Sequence, residues 1–183
     1  MSLEIEKKYR LQSDDVARIN ASLAELGGEF VGREFETNTI FSGEALRAVA
    51  AIVRIRTTDR RVILTYKRRM PSEFDVKTQI EHEVDISDAG AAASILAELG
   101  LTPWLLYEKY RDTWKFRSVE VVLDELPFGL FMEIEGTVTG IREAEMMLGI
   151  EDLSVEHETY PALTARLGKK IDDVTEARFS PTK

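Results

Sequence analysis

Leu3-Glu4-Ile5-Glu6-Lys7-Lys8-Tyr9-Arg10-Leu11 alternates along its whole length. Leu3, Ile5, Lys7, Tyr9 and Leu11 fall on one side of an extended chain, and Glu4, Glu6, Lys8 and Arg10 on the other. The stretch reads as a strand with one fully charged face. The pattern then returns. Arg54 and Arg56 alternate with Val53 and Ile55, and Lys67 shares a face with Ile63 and Thr65. Gln79, Glu81, Glu83 and Asp85 oppose Ile80, His82, Val84 and Ile86. Lys109 with Arg111, Asp124, and Glu133 with Glu135 complete the series.

The solvent face of an ordinary antiparallel sheet also alternates in this way, and any one pair fits that description. The series as a whole differs, because its pairs are sorted by sign. Like charges side by side repel unless a counter-charge lies opposite. An inward-facing set of this kind suits a polyanion with divalent cations. The seven acids and six bases of the series sum to −1. Two divalent cations and a triphosphate of about −4 would leave the loaded site near neutral. Arginine supplies planar forks for phosphate oxygens and lysine a point charge.

Composition narrows the chemistry further. There are 183 residues, enough for one domain spanning 1–183, with a core over 3–168 and a polar tail, 169–183, whose last dozen residues are expected to fray. Lys and Arg number 24 against 33 Asp and Glu, a net charge of −9, which argues against nucleic-acid and membrane-surface partners. With no cysteine, thiolate zinc sites, disulfides and cysteine nucleophiles are excluded. The only histidines are His82 and His157, so metal ligands would be oxygens, which suits Mg²⁺ or Mn²⁺. His82 lies on the apolar side of its strand and reads as a packed or hydrogen-bonded structural residue rather than a catalytic one. No stretch approaches the ~18–20 apolar residues of a membrane span, and no apolar leader follows Met1, so a cytoplasmic protein is expected.

Around these strands the remaining elements can be placed. Ser13 is expected to cap a helix with Val16, Ile19, Leu23 and Leu26 on its stripe, ending at Gly27. Strands are predicted over Phe35–Phe41, Ala51–Thr57, Val62–Arg68, Lys77–Ile86, Leu105–Lys115, Val119–Leu126 and Leu130–Thr137. Gly43–Ala50 and Pro71–Asp75 read as loops. Further helices are predicted from Ser87 or Asp88 to Gly100, over Ile141–Leu148 and over Tyr160–Leu167. About eight antiparallel strands with helices outside suggest an α+β chain whose sheet forms a closed or nearly closed barrel.

The motifs resemble a known family. Glu4-Ile5-Glu6-Lys7-Lys8 is similar to the E-x-E-x-K signature of the CYTH superfamily, the triphosphate tunnel metalloenzymes. The likeness continues in order through Arg54-Ile55-Arg56, Leu64-Thr65-Tyr66-Lys67, Glu81-His82-Glu83, Glu108-Lys109-Tyr110-Arg111, Leu123-Asp124 and Glu133-Ile134-Glu135. The resemblance implies an eight-stranded antiparallel tunnel, braced by outer helices, with a triphosphate inside. It implies Glu4, Glu6, Glu133 and Glu135 as metal ligands, with Asp124, Glu81 and Glu83 as further acidic candidates. It implies Lys8, Arg54, Arg56, Lys67, Lys109 and Arg111 as phosphate binders, and Tyr160 as an aromatic residue lining one tunnel end. Lys8 is the catalytic candidate, as a base or as a phosphate-holding cation. Three activities stand: metal-dependent hydrolysis of tripolyphosphate, ATP or thiamine triphosphate; cyclisation of ATP as in class IV adenylate cyclases; and binding without turnover. The His-Phe pair that well-known class IV cyclases carry ahead of this strand is absent from Met1-Ser2-Leu3. Homodimerisation is common in such folds, but no interface is legible.

Overall fold

The computed structural model describes residues 2–71 and 76–180; most of the predicted loop Pro71–Asp75 lies outside the described residues. The elements in chain order are β1 (Ser2–Leu11), α1 (Ser13–Glu25), β2 (Glu29–Ser42), α2 (Glu44–Ala48), β3 (Ala51–Thr57), β4 (Val62–Met70), β5 (Lys77–Ile86) and α3 (Ala89–Glu98). They continue with β6 (Thr102–Phe116), β7 (Val119–Leu126), β8 (Gly129–Glu135), α4 (Val138–Leu148), α5 (Tyr160–Leu167), β9 (Lys169–Ile171) and β10 (Val174–Ala177).

Strand order is β2-β3-β4-β5-β1-β8-β7-β6, and β6 pairs back onto β2, so eight strands close into a ring. Every pairing in that ring is antiparallel. Closure leaves no unpaired edge between β2 and β6, whose register runs from Glu29↔Lys115 to Ser42↔Thr102. Closure also explains why β2 is twice the predicted length. Its pairing with β6 carries it through Gly32, where the register shifts, into a stretch with no alternation legible in the sequence.

The apolar core lies outside the ring. Tyr9, Val121, Leu123, Met132 and Ile134 point outward from β1, β7 and β8 and pack with Ile19 and Leu23 of α1 and Ile141, Ala144 and Leu148 of α4. Val53 and Ile55 of β3 pack with Leu46 of α2 and Leu96 of α3. Burying a side chain of this size stabilises the fold by about 1.5–3 kcal/mol. A third apolar cluster sits inside one end of the ring. There Tyr160 and Leu163 of α5 meet Ile40, Leu105, Leu126 and Phe131 from inward-facing strand positions.

Local details differ from expectation for identifiable reasons. Gln12, not Ser13, caps α1, and its backbone N–H donates to Asp15 Oδ2 at 2.9 Å in a capping box. Within the expected loop Gly43–Ala50 a single helical stretch, α2, forms because Leu46 has an apolar pocket to fill. The tail expected to fray holds β9 and β10 instead. β10 runs parallel to Leu105–Tyr107 of β6, beside the part of that strand that β7 does not reach. His82 is exposed rather than packed, because no helix covers the outer face of β5 there; its ring stacks on Tyr66 at 6.1 Å. Among the described residues no helix is long and apolar enough to cross a membrane.

Candidate active site

The ring encloses a cavity of about 720 Å³. Glu4, Glu6, Lys8, Arg54, Arg56, Lys67, Glu81, Glu83, Lys109, Arg111, Glu133 and Glu135 all line it. They come from six strands, and pairing sets them side by side: Lys8 opposite Glu133, Glu6 opposite Glu135, Lys67 opposite Glu81 and Arg111 opposite Asp124. Among the described residues nine basic and seven acidic side chains face this space, so bases outnumber acids there although the chain is negative. The two signs occupy opposite walls. Acids concentrate on the contiguous strands β5, β1, β8 and β7, and bases on β6, β3 and β4.

The basic wall is crowded. Burial and the Arg54 charge beside it hold Arg56 below the usual arginine range, outweighing the attraction of Glu36. Burial and the Arg111 charge bring Lys109 down to about 8, against the opposing pull of Asp124 and Glu36. Arg54 donates to Glu83 at 3.2 Å and to Thr65 Oγ1 at 3.3 Å, while its buried Nε and that of Arg56 have no hydrogen-bond acceptor. Orphaned buried donors are costly.

The acid wall is crowded in the same sense. Glu6, Glu135 and Glu120 stand in one cross-strand row over β1, β8 and β7. Among the described residues, Glu120 and Glu135 have no ion-pair partner. Burial, with repulsion from Glu4 and Glu120, pushes Glu135 up to about 7. Burial and a hydrogen bond with Glu4 push Glu81 up to about 8, and burial and Glu133 raise Glu6. Burial also acts upward on Glu4, but the hydrogen bond with Glu81 and the Lys67 charge bring it below its ordinary value. Lys67 bridges Glu4 at 3.0 Å and Glu81 at 2.9 Å.

Repelling carboxylates with only oxygen donors are the chemistry that hard divalent cations satisfy. Among the described residues no three His, Cys, Asp or Glu side chains converge on a single point. The acid wall supplies the donor type and charge that such an ion takes, but its carboxylates are spread along the wall and lysines stand among them as counter-cations.

Asp124 does not line the cavity. Its side chain is fully buried and accepts from Arg111 Nε at 2.7 Å, Arg111 Nη2 at 2.5 Å, Lys109 Nζ at 3.3 Å and the Tyr160 hydroxyl at 2.7 Å. Lys8 is buried too. Its Nζ meets Glu133 at 3.1 Å, donates to the Glu158 carbonyl at 3.4 Å and lies 3.5 Å above the Tyr160 ring centre. Arg10 shares the face of Lys8 but pairs with Glu156 at 2.5 Å, away from the cavity.

Several lining or supporting residues escaped the sequence reading. Lys77 and Glu120 sit at even spacing from Glu81 and Asp124, so strand parity alone could have found them. Lys77 lies 3.7 Å from Glu6, and burial with the Lys8 charge lowers it to about 8. Arg61 comes from the expected turn; Arg69, by contrast, shares a strand face with the charged set in the sequence and lines the cavity from the end of β4. Glu36 carries no local signal; the register of β2 on β6 sets it opposite Lys109, 3.4 Å from that ammonium and 3.5 Å from Arg56.

A model of the CYTH domain matches residues 2–160, nearly all of the chain. The chain belongs to the CYTH family. Outside the family model, this CYTH chain is 29% identical over 147 residues to MJ0240 of Methanocaldococcus jannaschii, a protein named as a candidate adenylate cyclase; the match covers 79% of this chain and 83% of that one. Its fold matches PH1819 of Pyrococcus horikoshii with a TM-score of 0.76 at 23% identity, covering 89% of this chain and 98% of that one. It also matches HpAC1 of Hippeastrum, an adenylyl cyclase candidate described as having a dominant triphosphatase activity. That match has a TM-score of 0.70 at 18% identity and covers 91% of this chain and 96% of that one. These likenesses show that the charged ring is the CYTH tunnel fold.

Proposed function

We propose that this CYTH protein is a divalent-metal-dependent enzyme that hydrolyses a triphosphate held inside the ring. The observation that carries this reading is the pair of opposed walls, one of bases with orphaned guanidinium donors and one of acids that repel one another. A triphosphate of about −4 in a cavity with two more bases than acids leaves about −2, and one divalent cation restores neutrality.

In this reading Arg54, Arg56, Lys67, Lys109 and Arg111 hold phosphate oxygens, joined by Arg61 and Arg69. Asp124 fixes the Arg111 fork and the Lys109 ammonium from behind, so it belongs to the support of the phosphate site rather than to the metal. Glu4, Glu6, Glu81, Glu133 and Glu135 are the residues that would hold Mg²⁺ or Mn²⁺, with Glu83 at the same wall. A bound ion there would neutralise phosphate charge and orient the attacking oxygen. The chain's own part is alignment and electrostatic preorganisation. Lys8 is aimed by Glu133, the Glu158 carbonyl and the Tyr160 ring. Its Nζ either donates to a phosphate oxygen or takes the proton of the attacking water. Lys8→Arg separates the two roles, since arginine keeps the charge and cannot act as the base.

Cyclisation of ATP is the second reading, favoured by the name of the relative from M. jannaschii. The test is phosphate and cyclic AMP production from tripolyphosphate, ATP and thiamine triphosphate, each with Mg²⁺ or Mn²⁺. Phosphate release without cyclic AMP supports hydrolysis. Cyclic AMP with pyrophosphate replaces it by cyclisation, and tight binding without product leaves a triphosphate binder.

A further inference from the structure

α5 brings Tyr160 into the end of the cavity, yet it is only eight residues long and too short to hold its place alone. It is anchored on both sides. Upstream, Arg10 N–H donates to the Ser154 carbonyl at 3.0 Å and Glu156 N–H to the Lys8 carbonyl at 2.8 Å, with Val155 bridged to Tyr9. Downstream, the helix stops at Gly168, where space is very tight. A Cβ there would sit 2.6 Å from the Thr164 carbonyl oxygen and 2.9 Å from that of Glu176. The backbone of β10 therefore passes directly across the end of α5.

From that crossing the chain grips β6. Ala177 is buried in the same apolar cluster as Tyr160, Leu163 and Phe131. Arg178 pairs with Glu108 at 3.0 Å, and Phe179 N–H donates to the same carboxylate at 2.9 Å. The Phe179 ring packs against Tyr110 at 5.2 Å and Phe35 at 6.4 Å. Glu108 and Tyr110 flank Lys109, so the tail holds the outer side of the strand segment whose inner side carries the phosphate-site lysine. The CYTH match ends at residue 160, so the tail's side of this grip lies beyond it.

We propose that residues 168–179 form a clamp that positions Tyr160, and through it Lys8 and the Asp124–Arg111 pair, making Gly168, Arg178 and Phe179 positioning residues of the phosphate site. The proposal rests on the triphosphate reading. The Tyr160 hydroxyl bonds to Asp124 and its ring supports Lys8, so a small displacement of α5 disturbs both contacts together.

The experiment compares the full chain with Arg178→Ala/Phe179→Ala. Amide exchange is followed by mass spectrometry, and tripolyphosphate binding by calorimetry in metal-free buffer and again with Mg²⁺. The clamp predicts exchange over 160–167 faster by about tenfold or more, with β1 and β8 unchanged, and affinity weaker by about tenfold. Phe179→Tyr, which keeps the ring, should restore both. Unchanged exchange in α5 overturns the clamp, and so does faster exchange with unchanged affinity. Faster exchange throughout reduces the tail to a general stabiliser and also overturns it. If the double variant does not fold, Arg178→Ala alone, which removes only half-exposed ion pairs, is read by the same criteria. Wild-type protein that binds no tripolyphosphate in either buffer sinks the triphosphate reading instead, separately from any change in α5.

Discussion

Glu133, Ile134 and Glu135 are consecutive on one strand and live in opposite worlds. Ile134 points outward, fully buried among the apolar side chains beneath α1 and α4. Glu133 and Glu135 point inward, to a cavity where charge meets charge. Most small barrels fill their interior with apolar side chains; here the order is reversed. Stability is supplied from outside the ring and by one apolar cluster at its α5 end, which leaves the rest of the interior for charges that oppose folding. The difference teaches that one backbone can carry two nearly independent ledgers, one per face, read at alternate positions.

That separation can be broken by experiment. The largest effect expected on stability is at Ile134. Ile134→Ala should lower unfolding free energy by about 2–5 kcal/mol while each folded molecule keeps its tripolyphosphate affinity. A parallel loss of affinity in the folded fraction, measured by denaturant melts and calorimetry, would join the two faces again. Glu135→Gln should do the reverse. It removes a carboxylate pressed by Glu4 and Glu120, so Tm should hold or rise, while metal-dependent turnover falls by about 100-fold. Full turnover in Mg²⁺ and Mn²⁺ would take Glu135 out of the metal site.

Arg54→Ala should weaken triphosphate binding by about 1.5–3 kcal/mol, the range for a charge-assisted hydrogen bond. Unchanged binding would make Arg54 a structural partner of Glu83 only.

The smallest effect is a pH dependence of the ligand-free protein, read by calorimetry between pH 5 and 10. Glu135 at about 7 and Glu81 at about 8 hold protons more tightly when folded than at the ordinary value of 4.5, so stability falls as pH rises through that window. Lys77 and Lys109, both near 8 against an ordinary 10.5, bind protons less tightly when folded, so stability recovers above pH 8. Tm should therefore pass through a minimum near pH 8. Divalent metal should flatten the acid limb and tripolyphosphate the alkaline one. A profile without a minimum would mean that the walls are not strained as described.

Much of this was legible beforehand because strand periodicity is local. Alternation in Leu3–Leu11, Ala51–Thr57 and Lys77–Ile86 assigns each residue to a face, and Glu4, Glu6, Lys8, Arg54, Arg56, Glu81 and Glu83 line the cavity while Arg10 and Asp85, on the same faces, do not. Asp124 shows the limit. Its face follows from the sequence, but its saturation by Arg111, Lys109 and Tyr160 depends on three other elements meeting it. Glu36 and the tail strands were not legible, since β2 and β10 are held by their partner β6 rather than by their own pattern. His82 lies on the outer face as its alternation implies but is exposed, because alternation names a side of the sheet without saying whether anything covers it.

Which residue types share a face, the sorting of the charges by sign, and a donor set that is oxygen apart from two histidines were all fixed by composition and a period of two. Only the tertiary structure decided that the charged face is the inside. Closure of β2 onto β6 is a contact between positions about seventy residues apart, and no local pattern encodes it. The same closure chose which acids would face which bases, because cross-strand register is a property of pairs of strands and not of either one.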